Sequence, residues 1–431
     1  MTARLLMVGL DALDANLAEY WMNKGSMPHL SKLKDRGIMK QLISPVGSSD
    51  DGLWASFQYG ISLAEHGRYH WCTPLPDKSL VMSYKNEVIQ KPFWNNLIRD
   101  DFRKAIIDIP KCAAPQTLNG IHLADWLVHG RYFEQPCSYP PELAKEVVDH
   151  FGSSLPSRCG YYQGPYDDIN ITEITANLLE SVARKQAAGL HFLNAESWDL
   201  FLIGFKEAHC GCHSFWDFVD KEHFNYDELR NLKLGEPIKS IFTDLDRAVG
   251  ELINTAGPHA EIVVFSTTDM KPNGTLDHLL PQIIDKINQQ LGGKFCTILP
   301  YNDNYGALRV NAPNIEKKRI AKIVSYRLSE LIDTETNKYV IGTISFPSQE
   351  SKGKRASLLP DIIFAYTPNL NPYAVESNTL GPIKAKVRNI RSGNHREGGF
   401  LIAAGNKAKD LAKNINALED FAKMAATIIQ K

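Results

Sequence analysis

The segment "DLFLIGFKEAHCGCHSFW" (residues 199–216) joins an apolar run to a short stretch rich in histidine and cysteine. The run at residues 199–205 is typical of a strand that is buried on both faces of a sheet. Ligands of open α/β sheets bind at the carboxyl ends of the strands, so the residues after this run are the first place to look for a site. His209 and His213 lie four residues apart, and on a helix both rings would therefore reach one ion.

Two histidines form only part of a metal site, because zinc sites in proteins use three or four protein ligands. A helix that packs its histidines in the core is an open alternative. A redox role for Cys210 and Cys212 is disfavoured, since no thioredoxin-like CxxC unit is present. A third ligand is offered by His395 in "SGNHREGGFLIAAG" (residues 392–405), where glycines permit a close backbone approach. A turn with a solvated histidine explains that loop equally well.

Similar short apolar runs recur along the chain, most of them bounded by Gly, Pro or Asp. They occupy residues 4–10, 104–109, 199–205, 261–266, 361–366 and 400–404. Helical periodicity fills segments between them, as in "EPIKSIFTDLDRAVGELINTAG" (residues 236–257). Strands that alternate with helices predict an α/β fold with a mostly parallel sheet covered on both sides.

The first apolar run ends at a carboxylate, Asp11. An acid at the end of a buried strand is costly unless it is paired or bound to a cation, so Asp11 is a candidate metal ligand. Asp14 is better placed to cap the helix that follows.

The chain of 431 residues is long enough for one large domain with insertions or for two closely joined domains. Residues 1–127 and 171–431 are the two predicted parts of the core. The intervening residues 128–170 are rich in Pro, Tyr, Gly and Ser, which indicates an inserted cap. A second, irregular insertion is predicted at about residues 291–359.

Charge and composition exclude several classes of protein. The 48 basic and 49 acidic residues nearly cancel and form no long block, which argues against a nucleic-acid-binding or anionic-membrane surface. No apolar stretch approaches the roughly 18 residues that a membrane span needs. Seven cysteines, mostly scattered, are too few for a disulfide framework. We therefore expect a soluble cytoplasmic protein with reduced thiols.

A series of segments spread over almost the whole chain carries a family resemblance. The segments are, in order, "MVGLDALD", "MPHLSKLKDRG", "WASFQYGISLAEHGRYHW", "KPFWNNL", "KAIIDIPKCAAPQTLNG", "SYPPELAKEV", "WDLFLIGFKEAHCGCHSFW", "FSTTDMKPN", "LPDIIFAY" and "NHREGGFLIAAG". Together they resemble the alkaline phosphatase superfamily, and within it the type I phosphodiesterase and nucleotide pyrophosphatase branch. The order and number of the segments make the resemblance more specific than any one motif.

The resemblance implies a three-layer α/β/α sandwich with two metal ions, usually zinc, on either side of a Thr or Ser nucleophile. The first metal site of the family takes an Asp and a His four residues apart, and a late His. The matching residues here are His209, His213 and His395, so that a histidine replaces the aspartate. Three imidazoles bind zinc and leave a fourth position open, although a histidine-rich site also accepts manganese or iron.

The second metal site departs from the family pattern. Asp11 matches the early aspartate, but Thr267 and Thr268 stand where the family has an adjacent Asp-His pair. Asp269 lies one step beyond them. The resemblance therefore leaves a second ion lost, weakly held, or bound by Asp11 and Asp269 in a shifted geometry, with Thr267 and Thr268 as substrate contacts.

The nucleophile position falls on Asp50 in "PVGSSDDGLW". A shift of one residue places Ser49 there, which we favour slightly over Ser48 because a metal-bound serine alkoxide is a competent nucleophile. Cation binding by Asp50 or Asp51, attack by a metal-activated water, and a simple polar turn are the alternatives. Arg68 is a further candidate for contact with the substrate.

These features predict a zinc-dependent hydrolase that holds one or two ions. Its expected substrate is a small phosphorylated molecule, either a phosphodiester or a pyrophosphate-linked compound. Two hypotheses compete with this one, since a fold alone does not fix a function. The first is a single-zinc, three-histidine enzyme of group transfer or of another metal-assisted reaction, and the second is an inactive, metal-stabilised binding protein.

Overall fold

The computed structural model describes residues 3–45, 47–70, 72–74, 80–82, 91–97, 101–128, 135–156, 167–300, 305–386 and 391–430. Within these residues a central sheet has eight strands, of which the five in the middle run parallel and the outer three pair antiparallel. From one edge to the other they are β2 (Ile38–Gln41), β19 (Phe400–Ala404), β9 (Glu261–Ser266), β1 (Ala3–Leu10), β8 (Trp198–Phe205), β5 (Lys104–Ile107), β6 (Gly120–Ala124) and β7 (Cys137–Tyr139). The predicted mostly parallel sheet is confirmed.

Alternate side chains of β1 face opposite sides of this sheet. Leu6 and Val8 belong to the hydrophobic core on one face, whereas Leu5 and Met7 belong to the core on the other. All four side chains are fully buried. The uninterrupted apolar run at residues 5–10 reflects this burial on both faces.

Helices cover both faces, which confirms the α/β/α sandwich. The layer that packs on Leu6 and Val8 contains α1 (Ala15–Asn23), α2 (Pro28–Arg36), α5 (Leu143–Phe151), α6 (Asp168–Ala195), α7 (Glu207–Phe215) and α9 (Pro237–Ala256). The opposite layer contains α3 (Asp50–Tyr59), α13 (Asn406–Ala412) and α14 (Asp420–Gln430). Over the ranges given above, no helix has both the length and the apolar character that crossing a membrane requires.

A third hydrophobic core is built from residues between Leu276 and Ala385. Its strands form a four-stranded antiparallel sheet of β11 (Cys296–Ile298), β12 (Tyr305–Val310), β15 (Ile362–Tyr366) and β14 (Ile341–Ser345), and a smaller sheet of β13 (Ile332–Asp333), β16 (Ala374–Glu376) and β17 (Ile383–Lys384). Its helices are α10 (Leu280–Gln290), α11 (Asn314–Ser329) and α12 (Pro347–Glu350). The predicted insertion at about 291–359 lies inside this segment. The apolar run at 361–366 is β15 and belongs here, because the sequence of a buried strand does not reveal which sheet buries it.

Short elements connect these parts. They are the hairpin of β3 (Cys72–Pro74) and β4 (Leu80–Met82), the antiparallel pair of β10 (Asp269–Pro272) and β18 (Gly393–Arg396), the helices α4 (Leu63–His66) and α8 (Glu228–Leu234), and three 3₁₀ turns at Phe93–Asn95, Trp216–Phe218 and Ala356–Leu358.

The predicted cap at residues 128–170 lies only partly within the described residues, because 129–134 and 157–166 fall outside them. In the described part, β7 extends the edge of the central sheet, and α5 buries Leu143 and Val147 in the first core. These elements belong to the sandwich. A cap over the site remains a prediction.

Candidate metal centre

Three histidines meet at the carboxyl edge of the sheet. His209 and His213 lie on α7, which starts two residues after β8 ends, and His395 lies on β18. Asp11 joins them from the end of β1, where its backbone N–H donates to the Phe205 carbonyl over 2.8 Å. The parallel register of β1 and β8 therefore brings residues almost 200 positions apart in sequence to one point.

The three imidazoles have the spacing of a metal site. Each offers a ring nitrogen within 4.8 Å of the others, and their ring centroids are 4.6–4.7 Å apart. The Nε2 atoms of His213 and His395 are 3.1 Å apart. Zinc–nitrogen bonds of about 2.0–2.1 Å place two tetrahedral ligand atoms roughly 3.3 Å apart, so the set fits such an ion.

Contacts behind the imidazoles fix their orientation. His213 Nδ1 lies 2.7 Å from the Gly393 carbonyl and His209 Nδ1 lies 3.0 Å from Asp11 Oδ2. If each Nδ1–H donates to its oxygen, Nε2 of both rings is left with its lone pair for an ion, as in carboxylate–histidine–zinc arrangements. Gly393 is required here because a Cβ atom would lie 2.1 Å from the Cys212 carbonyl oxygen.

A second group of potential ligands shares His209 and adds two carboxylates, Asp11 and Asp50. Asp11 Oδ1 accepts a hydrogen bond of 2.8 Å from Trp54 Nε1, and Asp50 Oδ2 lies 3.6 Å from His209 Nδ1. Burial alone would raise the pKa of Asp11, but His209 and then Lys111 lower it to about 2. Asp11 is therefore ionised at neutral pH.

Lys111, which is not among the residues predicted from the sequence, places a buried ammonium group in this carboxylate cluster. Its Nζ forms an ion pair with Asp50 and lies 3.4 Å from Asp51. Burial alone would lower the pKa of Lys111, but the charges of Asp50, Asp51 and Asp11 raise it above the ordinary value, so the cation persists. The one sequence signal for Lys111 is its place just after the apolar run at 104–109, which puts it near the same edge of the sheet as Asp11 but does not give the direction of its side chain.

The hydroxyl groups of the two candidate serine nucleophiles form hydrogen bonds with the backbone. Ser49 caps α3, because its Oγ accepts from the Gly52 N–H over 2.9 Å and donates to the Tyr69 carbonyl. Ser48 Oγ donates to the Pro45 carbonyl over 2.6 Å. Asp50, the next residue, is the one that points to His209. A nucleophilic role for Ser49 or Ser48 remains a prediction.

The residues after β9 reach different partners. Thr267 Oγ1 lies 3.4 Å from Asp11 Oδ1, whereas Thr268 Oγ1 donates to the Arg396 carbonyl over 2.7 Å. Asp269 is outside both groups of potential ligands found among the described residues. Its Oδ1 instead accepts from the Ala15 N–H over 2.8 Å at the start of α1.

Asp269 shares this position with a second carboxylate. Burial and the neighbouring Asp14 raise the pKa of Asp269 to about 6, although Arg396 lies 3.4 Å away and partly offsets them. Asp14 caps α1 as its sequence position predicts, with Oδ1 accepting from the Leu17 N–H. A metal-binding role for Asp269 therefore remains a prediction with no support from the ligand grouping.

Arg68, the remaining predicted substrate contact, is buried. Its guanidinium bonds to the hydroxyl of Tyr59, at the opposite end of α3 from Asp50. Its Nε and Nη2 have no hydrogen-bond partner among the described residues. Contact with a substrate remains a prediction for this residue.

Comparisons with known proteins agree with this architecture. A sequence model of the type I phosphodiesterase / nucleotide pyrophosphatase family matches residues 5–386. The fold is similar to phosphonoacetate hydrolase from Sinorhizobium meliloti 1021 in complex with phosphonoformate, at 14% identity over 99% of this chain and 96% of that chain, with a TM-score of 0.60. It is also similar to murine ectonucleotide pyrophosphatase / phosphodiesterase 5, at 12% identity over 99% and 95% of the chains, with a TM-score of 0.53. A comparison with curated protein sequences gives no match.

Proposed function

This chain belongs to the type I phosphodiesterase/nucleotide pyrophosphatase family, a family of hydrolases, and we propose that it hydrolyses a phosphate ester with one divalent ion held by His209, His213 and His395. The observation that carries the proposal is the convergence of these three buried imidazoles at the carboxyl edge of the sheet. Zinc is the expected metal because it favours imidazole ligands in a tetrahedral set, and manganese and iron are the alternatives.

The residues around the ion have separate tasks. When bound, a divalent ion supplies a Lewis acid that stabilises negative charge on the phosphoryl oxygens. The Gly393 carbonyl and Asp11 hold two of the imidazoles in place by hydrogen bonds. Burial of the whole cluster keeps bulk water away, which strengthens these interactions.

We propose water as the attacking group. The hydroxyls of Ser48 and Ser49 already donate to backbone carbonyls. Asp50 occupies the position next to them and faces His209, so its carboxylate can accept a hydrogen bond from a water and orient it. The alternative, attack by Ser49, would require the serine to leave its capping position.

The proposed substrate is a small molecule that carries a phosphodiester or pyrophosphate linkage. The description of the family supports this class. Two solved structures of similar fold hold small phosphorus oxyanions, since the bacterial protein is in complex with phosphonoformate and an inactive form of the murine one with AMP. The identity of the organic group stays open to experiment.

The test combines metal content with activity. Protein stripped by a chelator is reloaded with zinc or manganese and assayed on nitrophenyl phosphate monoesters, diesters and dinucleotides. We expect wild type and His150→Ala, a control at an exposed position on α5, to bind metal and hydrolyse at least one ester. His213→Ala should lose both properties.

Two results would contradict the proposal. Full metal content and activity in His213→Ala would remove the three-histidine site from the mechanism. Product formation only in the presence of an acceptor alcohol would replace hydrolysis by group transfer.

A further inference from the structure

We propose that the ammonium group of Lys111 takes the place of a second metal ion, so that the chain holds its carboxylate cluster with a built-in cation and works with one bound metal. The inference rests on the proposed function for its catalytic meaning, and on the geometry around Lys111 for its content. Lys111 acts as a positioning residue that fixes Asp50 beside the histidine site.

Two carboxylates contact Lys111, and one of them also faces the histidines. Its Nζ pairs with Asp50 and lies 3.4 Å from Asp51. Asp50 Oδ2, the oxygen that pairs with Lys111, also lies 3.6 Å from His209 Nδ1. The side chain of Lys111 is 3% exposed, so water does not screen these charges.

Charge balance favours one metal. Asp11, Asp50 and Asp51 carry three negative charges, and Lys111 carries one positive charge. With a single divalent ion at the three histidines, the formal charges of the carboxylates, the ammonium group and the ion sum to zero. A second divalent ion beside Lys111 would leave two uncompensated positive charges in a buried site, which is unfavourable.

The loop that carries Lys111 is held in an unusual shape. Asp108 and Lys111 both have left-handed backbone conformations, with φ of 50° and 61°. Such conformations are unfavourable for residues other than glycine and persist only where the surroundings enforce them. The strained backbone after β5 thus directs the lysine side chain into the cluster.

Buried ion pairs hold this loop. Asp108 accepts from the Trp126 N–H over 2.9 Å, and its two oxygens lie 2.8 Å from Lys185 Nζ and 3.0 Å from Lys206 Nζ. All three charged side chains are almost completely buried. Lys206 lies three residues before His209. Asp108 therefore holds both the loop that carries Lys111 and the start of α7.

The experiment counts metal ions in the full-length protein. Chelator-stripped wild type, Lys111→Met and Lys111→Arg are titrated with Mn²⁺ and followed by electron paramagnetic resonance and by elemental analysis after dialysis. Lys145→Met, at an exposed lysine of α5, is the matched control. We expect one ion in wild type, in Lys111→Arg and in the control, and a second, weaker ion in Lys111→Met at the vacated carboxylates.

The outcomes separate this inference from the proposed function. Two ions in wild type would overturn the inference, whether or not Lys111→Met folds. A folded Lys111→Met that still binds one ion, with unchanged affinity for inorganic phosphate, would also overturn it. One ion in wild type and two in Lys111→Met, in a protein that hydrolyses no ester, would support the inference and contradict the proposed function.

Discussion

The histidine side and the carboxylate side of the site differ in whether the protein itself places a cation beside the potential ligands. On the histidine side, three imidazoles converge, and the Nε2 atoms of His213 and His395 are 3.1 Å apart. On the carboxylate side, the acids have an ammonium group as partner, since Lys111 pairs with Asp50 and Asp51. The contrast teaches that one part of a site can receive its cation from the protein, while a converging set of imidazoles is where we expect a metal ion to bind.

The largest effect is expected from breaking the ion pair on the carboxylate side. Asp50→Ala leaves the buried Lys111 with one of its two close carboxylates removed, and we expect a loss of about 3 kcal/mol in the free energy of unfolding. Urea unfolding measures it. The double variant Asp50→Ala/Lys111→Met should recover part of the loss, because the unpaired charge is gone. An equal or greater loss in the double variant would contradict a close ion pair.

A smaller effect is expected at Asp11, whose carboxylate contacts His209 and so connects the carboxylate side with the histidine side. Asp11→Asn keeps the shape of the side chain but weakens its hydrogen bond to His209, and we expect metal affinity to fall about 10–100-fold. Competition with a fluorescent zinc chelator measures the change. Asp14→Asn is a suitable control, because Asp14 caps α1 and lies outside both groups of potential ligands. Unchanged affinity in Asp11→Asn would show that Asp11 does not orient the histidine.

Ser49→Ala sharpens the assignment of the attacking group. Loss of the cap of α3 should lower the free energy of unfolding by about 1 kcal/mol, while hydrolysis by the folded protein stays near the wild-type rate. Chemical denaturation and steady-state kinetics measure the two quantities. Abolished hydrolysis in a folded Ser49→Ala would restore Ser49 as the nucleophile.

His122 provides a buried histidine that has no ligand role. Its ring packs near Trp94, and neither ring nitrogen has a hydrogen-bond partner among the described residues. Burial lowers the pKa of His122 to about 3, so below the ordinary value near 6.5 the unfolded chain binds a proton that the folded chain does not. The contribution is complete at pH 8 and declines as the pH falls below 6.5.

Between pH 8 and pH 6 this histidine should cost wild type about 1 kcal/mol of stability relative to His122→Leu. Urea unfolding of the metal-free proteins at the two pH values measures the difference. A difference that does not change with pH would mean that His122 has the same pKa in the folded and unfolded chains, as an exposed imidazole does.

The fold could be predicted from the sequence for a physical reason, and the same reason identifies candidate residues for the site. Strands buried on both faces leave long apolar runs, and the residues that follow them collect at one edge of the sheet, so Asp11, His209 and His213 are recognisable. The loop of His395 indicates a ligand and a solvated turn equally well, because a histidine in a glycine-rich loop has no periodic signal, and the family resemblance favours the ligand. The apolar run at 361–366 shows the limit, since it is buried in a different sheet.

The contacts on the carboxylate side were less predictable from the sequence. Lys111 reaches the cluster through left-handed backbone at Asp108 and Lys111, and no residue type announces such a conformation outside glycine. Ser49 offered a hydroxyl that serves equally as a cap or as a nucleophile, and only the contacts with Gly52 and Tyr69 reveal its present use. For both Lys111 and Ser49, the role of the side chain depends on contacts that form only in the folded chain.

The most direct test of the central claim is an anomalous diffraction measurement at the zinc absorption edge on crystals of the zinc-loaded protein. The account predicts one strong peak at about 2.1 Å from a ring nitrogen of each of His209, His213 and His395, with Lys111 remaining on Asp50. A peak among Asp11, Asp50 and Lys111, or no peak between the three imidazoles, would contradict it.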